Sequence, residues 1–136
     1  MSRDVDQSES PILESEEELI AFFKASEKSS EYFRVGAETE RVLYSKDTLK
    51  PVPFEGGIRP LLEGMTEKGW SLEPLGLNKD GMSVSLEPGG QLELAGKPVT
   101  HTDAIREEVN AFNRQVLEVC EPLGIGVSTL GMRPFS

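Results

Sequence analysis

The chain has 136 residues, of which 24 are acidic and 14 are basic, and its formal net charge is −10. This balance argues against nucleic acid as a partner, because phosphates require a basic surface. No apolar run approaches the ~20 residues of a membrane helix, and residues 1–9 lack the pattern of a secretory signal. We therefore expect no membrane partner and one ordinary domain with room for a core.

The chain has one cysteine, Cys120, and one histidine, His101. A single cysteine excludes an internal disulfide and favours a reducing compartment, so we expect a cytoplasmic protein. The two residues are far apart in the sequence and do not suggest a nucleophile–base pair. Cys120 falls on the apolar stripe of a predicted helix, where we expect a buried and inert thiol.

Residues 1–14 are polar and acidic and are predicted to be a disordered tail, with the folded portion in residues 15–136. Ser15 followed by Glu18 is typical of a capping box and predicts a helix that ends at Lys28. The predicted inner face of this helix is apolar and consists of Leu19, Ile20, Phe22 and Phe23.

The stretch from Tyr32 to Tyr44 alternates between apolar and polar residues and predicts a strand. Its polar face carries Glu38 and Glu40, which lie about 6.5–7 Å apart at a rise of ~3.3 Å per residue. Carboxylates at this spacing suit oxygen-seeking cations such as Mg²⁺. Arg41 falls on the apolar face and is expected to be structural. The alternative is an edge strand whose glutamates face water.

A short helix is predicted over residues 58–68, after a loop rich in proline and glycine. Residues 70–77 predict a weaker strand, which Pro74 interrupts and so places at an edge or a bulge. The Asp80-Gly81 pair that follows is typical of a hairpin turn.

Two strand-like runs, residues 82–87 and 91–95, meet at Pro88-Gly89-Gly90. Alternation places Gln91 and Glu93 on one polar face, and Glu87 on the polar side of its own run. The glycine bend allows the backbone or phosphate of a ligand to come close. A solvated hairpin with ordinary polar positions is the alternative interpretation.

The longest predicted helix covers residues 103–121, is capped by Thr100 or Thr102, and precedes a last strand at residues 125–131. Three helices and about five strands, several joined by turns, predict an α+β fold. Its sheet is expected to be antiparallel, with helices packed on one side.

Several of these segments resemble glutamate–cysteine ligases of the plant and proteobacterial type. Arg34–Glu40 resembles their G-T/A-E-x-E opening, and Ser85–Gly96 is similar to their signature S-L-E-P-G-G-Q-x-E-L-S-G. Further similar blocks lie in residues 51–63 and 107–131, so the resemblance covers about residues 16 to 136.

The resemblance implies that ATP phosphorylates the γ-carboxylate of L-glutamate and that L-cysteine displaces the phosphate, the first step of glutathione biosynthesis. It also implies a partial glutamine-synthetase-like sheet that holds Mg²⁺. Carried over by position, the metal ligands are Glu38, Glu40, Glu87 and Glu93. Glu38 and Glu87 are the catalytic candidates, and Gln91 and Glu93 are expected to bind the nucleotide cofactor.

Members of this family are several times longer than 136 residues. We therefore expect an N-terminal portion of the catalytic domain, with the remainder missing, that is inactive by itself. Two alternatives stay open. One is a ligase that joins glutamate to another amine, and the other is a non-catalytic metal-binding or subunit-interaction module derived from this fold.

Overall fold

A computed structural model of the chain describes residues 12–132. The chain divides into two compact units, Met1–Phe33 and Arg34–Ser136, within which the described residues are 12–33 and 34–132. Most of the predicted disordered tail, residues 1–11, lies outside the described residues.

The first unit contains one α-helix, α1, at Glu16–Ala25, and a 3₁₀ turn at Ser30–Tyr32. The predicted N-terminal cap is confirmed, because the hydroxyl of Ser15 accepts the amide N–H of Glu18 at 3.2 Å. The predicted inner face is wrong, since no residue of α1 is buried. Its apolar members are between 42% and 65% exposed: Leu19, Ile20, Phe22 and Phe23. Within the described residues of this unit, the helix is followed only by the short turn, which is too small to cover it.

The second unit contains six strands and two α-helices in its described residues. The strands are β1 (Glu38–Ser45), β2 (Ser71–Glu73), β3 (Gly76–Lys79), β4 (Met82–Glu87), β5 (Gln91–Ala95) and β6 (Ile125–Ser128). The helices are α2 (Arg59–Met65) and α3 (Thr102–Cys120). The strands form one antiparallel sheet in the order β2-β3-β4-β5-β1-β6. The predicted α+β class is confirmed.

The bounds of β4 and β5 are as predicted. Helix α1 ends at Ala25 and not at Lys28, and β6 ends at Ser128 and not at residue 131. Three other predictions need correction. β1 begins at Glu38 and not at Tyr32, because residues 30–32 turn and Val35 makes only an isolated bridge. The weak strand predicted around Pro74 is two strands, β2 and β3, because the chain reverses there and pairs with itself. His101 occupies the N-cap of α3 without a side-chain cap bond, and the expected threonine cap is absent.

The core lies between one face of the sheet and the helices α2 and α3. Its buried members come from alternate strand positions and from the inner sides of both helices: Leu43, Leu77, Val84, Leu92, Leu94, Leu61, Leu62, Met65, Phe112, Val116 and Cys120. Cys120 is buried, as predicted, and burial raises the pKa of its thiol to about 11, which disfavours the reactive thiolate. Among residues 12–132, no helix combines the length and apolar character required to span a bilayer.

Arg41 is a charged residue on this core-facing side of β1, and only 1% of it is exposed. Its guanidinium donates to the Asn113 side-chain oxygen at 2.7 Å, and to the carbonyl and hydroxyl oxygens of Thr39 at 2.7 and 3.0 Å. It also lies 4.7 Å from the ring centroid of Phe112. Burial lowers the pKa of Arg41 to about 10, still well above neutrality. Arg41 therefore joins β1 to α3, as its predicted structural role requires.

We expect Arg41→Ala to lower the free energy of unfolding by about 2–4 kcal/mol, because the packing is lost and the partly buried Asn113 acceptor is left without its donor. Urea unfolding followed by circular dichroism measures this change. The control is Arg114→Ala, which removes an exposed arginine of α3 and should change stability by no more than about 0.5 kcal/mol. Equal effects of the two substitutions would contradict the role of Arg41.

Candidate functional site

The face of the sheet opposite the core carries the carboxylates that the sequence singled out. Strand register places Glu40 directly across from Glu93, and Glu38 directly across from Ala95. On the other side of β5, Glu87 faces Gln91. Residues paired in this way have Cβ atoms about 4.5–5.5 Å apart and point to the same face. The structure thus brings Glu38, Glu40, Glu87, Gln91 and Glu93 together, and we name this surface the acidic face.

Glu93 lies at the centre of the acidic face and is only 8% exposed. Its pKa is raised, first because burial removes the carboxylate from water, and then because Glu87, Glu38 and Glu40 repel its negative charge. Each of these three glutamates therefore lies within electrostatic reach of Glu93. The acidic face therefore favours a bound cation or a bound proton.

Ser85 belongs to the acidic face, although the sequence analysis did not propose it. It is 7% exposed, lies directly across from Glu93, and donates its hydroxyl hydrogen to Glu87 Oε1 at 3.1 Å. This bond orients the Glu87 carboxylate along the strand. The alternation of residues 82–87 already placed Ser85 on the polar side, but its contact with Glu87 depends on side-chain geometry.

The bend after β4 is built on two glycines with positive φ, Gly89 at 86° and Gly90 at 78°. The amide N–H of Gly90 donates to the carbonyl of Glu87 at 3.0 Å, which closes the turn. Residues with a Cβ rarely adopt this conformation, so the bend depends on glycine. Its effect is to return the chain so that Gln91 lies across from Glu87.

A groove of about 330 Å³ lies beside this bend. All of its lining residues are uncharged: Val42, Pro51, Pro88, Gly89, Gln91, Gly131 and Met132. Val42 and Gln91 are cross-strand partners, so the groove continues from the acidic face. Its walls suit the uncharged part of a ligand whose charged part lies over the carboxylates.

A larger cavity of about 440 Å³ lies away from the acidic face. It is lined by residues that include Trp70, Lys79, Lys97, Glu108 and Phe112, and by none of the predicted site carboxylates. Its walls come from α3, from Trp70 and from the core-facing side of the sheet. We therefore place the candidate site at the acidic face, where the convergent carboxylates are, and not at this second cavity.

The chemistry of the acidic face fits Mg²⁺, which binds oxygen ligands and commonly takes one or two carboxylates, with phosphate and water completing its shell. Within residues 12–132, no group of three or more His, Cys, Asp or Glu side chains is arranged to hold one ion. The assignment of Glu38, Glu40, Glu87 and Glu93 as metal ligands stays a prediction.

Comparison with known proteins identifies the family. Residues 34–136 match Glutamate-cysteine ligase family 2 (GCS2). The chain is 36% identical over 124 residues to Glutamate–cysteine ligase A, chloroplastic, of Oryza sativa subsp. japonica. The aligned region covers 87% of the chain and 25% of the relative. It is 36% and 37% identical to the chloroplastic glutamate–cysteine ligases of Arabidopsis thaliana and Nicotiana tabacum, with 87% of the chain and 24% of each relative covered.

The acidic face defines a carboxylate-rich sheet surface suited to binding cations. The chain belongs to glutamate–cysteine ligase family 2. It spans about a quarter of the length of the curated relatives that it matches.

We expect Glu93→Gln to increase the free energy of unfolding at neutral pH in the absence of metal. The raised pKa of Glu93 means that its ionised form destabilises the folded state above that pKa. Below the usual carboxyl value of 4.5, the group is protonated in both states, and the advantage of glutamine should disappear. Urea unfolding of both proteins across this pH range measures the difference.

The control for this prediction is Glu67→Gln, which makes the same charge change at an exposed position after α2. It should show no comparable pH-dependent gain. A Glu93→Gln protein that is less stable than the parent at neutral pH would contradict the proposed repulsion.

Proposed function

We propose that this chain forms part of the catalytic domain of an ATP-dependent glutamate–cysteine ligase. The reaction would join L-glutamate, through its γ-carboxylate and an acyl phosphate, to the amine of L-cysteine, giving γ-glutamylcysteine. Family membership supports this proposal. The observation that carries it is the acidic face, where four carboxylates converge and no strand position on that face is lysine or arginine.

The charge on this face determines what it can bind. Phosphoryl transfer to a carboxylate brings two anions together, so their negative charge must be neutralised. The strands of the acidic face supply only further negative charge. Bound Mg²⁺ would supply the positive charge there and lower the repulsion between the phosphates and the γ-carboxylate. ATP and Mg²⁺ are accordingly the proposed cosubstrate and cofactor.

The residues of the acidic face would have distinct roles. Glu38 and Glu87 are the catalytic candidates, and together with Glu40 and Glu93 they would hold metal. Gln91 lies between the carboxylates and the uncharged groove, so its amide would orient a part of the nucleotide or of the acceptor amine. Ser85 would hold Glu87 in place through its hydroxyl.

The reaction does not require a side-chain nucleophile, and none is offered by the cysteine and histidine among the described residues. Cys120 is buried in the core with a pKa raised to about 11, and His101 is the N-cap of α3 and lies in none of the strands of the acidic face. Positioning and neutralisation of charge would then account for catalysis. The cytoplasmic location stays a prediction, and the names of the plant relatives describe those proteins as chloroplastic.

Two alternatives give different outcomes in experiments. A ligase for another amine would share the acidic face and differ in the group that enters the uncharged groove. A non-catalytic metal-binding or subunit-interaction module would bind metal or a partner without releasing phosphate from ATP.

We expect Mg²⁺ to raise the melting temperature of the chain at neutral pH, because a ligand that binds only the folded state stabilises it. Glu40→Gln and Glu93→Gln should each raise the melting temperature without metal and reduce the further increase that Mg²⁺ produces. Scanning calorimetry in MgCl₂ and in NaCl of equal ionic strength separates binding from screening.

Glu67→Gln is again the matched control and should keep the full Mg²⁺ effect. If Mg²⁺ stabilises all four proteins equally, or none of them beyond NaCl, the acidic face is not the proposed metal site.

We expect the 136-residue chain by itself to release little phosphate when it is given ATP, L-glutamate and L-cysteine. The strands of its acidic face supply no cationic side chain to enclose the triphosphate. A coupled phosphate-release assay measures this rate. Substrate-dependent turnover that disappears in Glu93→Gln would show that the chain is sufficient for catalysis.

A further inference from the structure

The end of β5 and the start of β1 are joined at a small backbone junction. The amide N–H of Gly96 donates to the carbonyl of Ala37 at 2.9 Å. Just beyond it, Val35 and Val99 exchange two backbone hydrogen bonds of 2.9 and 2.8 Å. These bonds extend the β1–β5 pairing past the last strand residues, Glu38 and Ala95. We name residues 35–37 and 96–99 the junction.

Glu108 of α3 reaches this junction from the helix side of the sheet. Its two carboxylate oxygens accept the amide N–H of Lys97 at 3.2 and 3.4 Å. A Cβ at Gly96 would lie 2.2 Å from Glu108 Oε2 and 3.3 Å from the carbonyl oxygen of Ala37. A side chain at residue 96 would therefore force the Glu108 carboxylate to move from its present position on the Lys97 amide.

The junction lies at the end of the acidic face that carries Glu38. Ala37 directly precedes Glu38, and Ala95, the cross-strand partner of Glu38, lies two residues after Glu93. Glu38 is the first residue of β1. On its N-terminal side, the backbone hydrogen bonds between the two chain segments continue only through the junction. A displaced junction would allow this end of β1 to separate from β5 and would move Glu38 away from Glu93.

We propose that Glu108 is a positioning residue that holds Glu38 against Glu93 through Lys97 and Gly96. This inference rests on the proposed function of the acidic face, and it assigns Glu108 no contact with substrate or metal. Glu108 lies on the opposite side of the sheet and lines the larger cavity. It acts only on the path of the backbone at the edge of the metal site.

The first arm of the test measures the position of Glu38 without metal. We expect Glu108→Ala to weaken the nuclear Overhauser effect between Glu38 and Ala95 and to speed amide exchange at Gly96, while exchange within the β4–β5 ladder stays unchanged. Glu108→Gln keeps a side-chain oxygen that can accept the Lys97 amide, so it should restore most of both signals. Glu107→Ala is the matched control, because Glu107 is an exposed neighbour on α3.

The second arm measures Mg²⁺ affinity by titration calorimetry. We expect Glu108→Ala to weaken the apparent affinity about tenfold, the lower end of the range for residues that orient metal ligands. A purely structural role would lower the melting temperature equally with and without Mg²⁺ and leave this affinity unchanged.

Gly96→Ala provides an independent route, because its Cβ should displace the Glu108 carboxylate and reproduce both effects. In the Glu108→Ala background it should add little, since the group that it displaces is already gone. The single variant Gly96→Ala also keeps the test available if Glu108→Ala does not fold.

The outcomes separate this inference from the proposed function. Loss of the Glu38–Ala95 contact together with weaker Mg²⁺ binding supports both. Loss of the contact in a protein whose parent binds no Mg²⁺ supports the positioning of Glu38 and overturns the proposed function. An unchanged contact, or unchanged Mg²⁺ affinity in a parent that binds the ion, overturns the role of Glu108.

Discussion

The alternation of side chains across one antiparallel sheet is the constraint on which the rest of this structure depends. Each strand must present one set of residues to α2 and α3 and the other set to the opposite face. On β5, Leu92 and Leu94 enter the core while Gln91 and Glu93 face the other way. A register slip of one residue would place carboxylates in the core, so burial of the apolar set determines where the acidic set lies.

This arrangement places several carboxylates close together, which does not stabilise the folded state. Glu40 lies directly across from Glu93, and like charges in that relation oppose strand pairing. The buried leucines on the other face offset that repulsion, because burial of apolar side chains is the main favourable term in folding. Sites of unfavourable charge held in place by the rest of a fold are typical of binding and catalytic surfaces. The acidic face has this character.

Polar side-chain contacts connect α3 to the sheet at two places, β1 and the end of β5. Arg41 joins β1 to α3 on the core-facing side of the sheet, and Glu108 of the same helix contacts the backbone where β5 ends. Helix α3 thus contributes to the geometry of the acidic face although it lies on the other side.

The sequence alone was sufficient for the parts of the molecule that depend on local pattern. Alternation and turn residues predicted β4, β5 and the glycine bend between them, and the signature residues predicted the family. Helix α3 was also predicted to within one residue at each end, because its apolar stripe is long and regular.

Other features depended on the tertiary structure. The start of β1 was decided by its pairing with β5, since propensity alone extended the strand back to Tyr32. The exposed face of α1 was not predicted, because an apolar stripe indicates a surface to be covered and not whether a partner is present. The pairing of Glu40 with Glu93, the Ser85–Glu87 hydrogen bond and the approach of Glu108 to Gly96 were decided by strand register and helix position. These contacts join residues far apart in sequence or depend on side-chain rotamers, which no local pattern encodes.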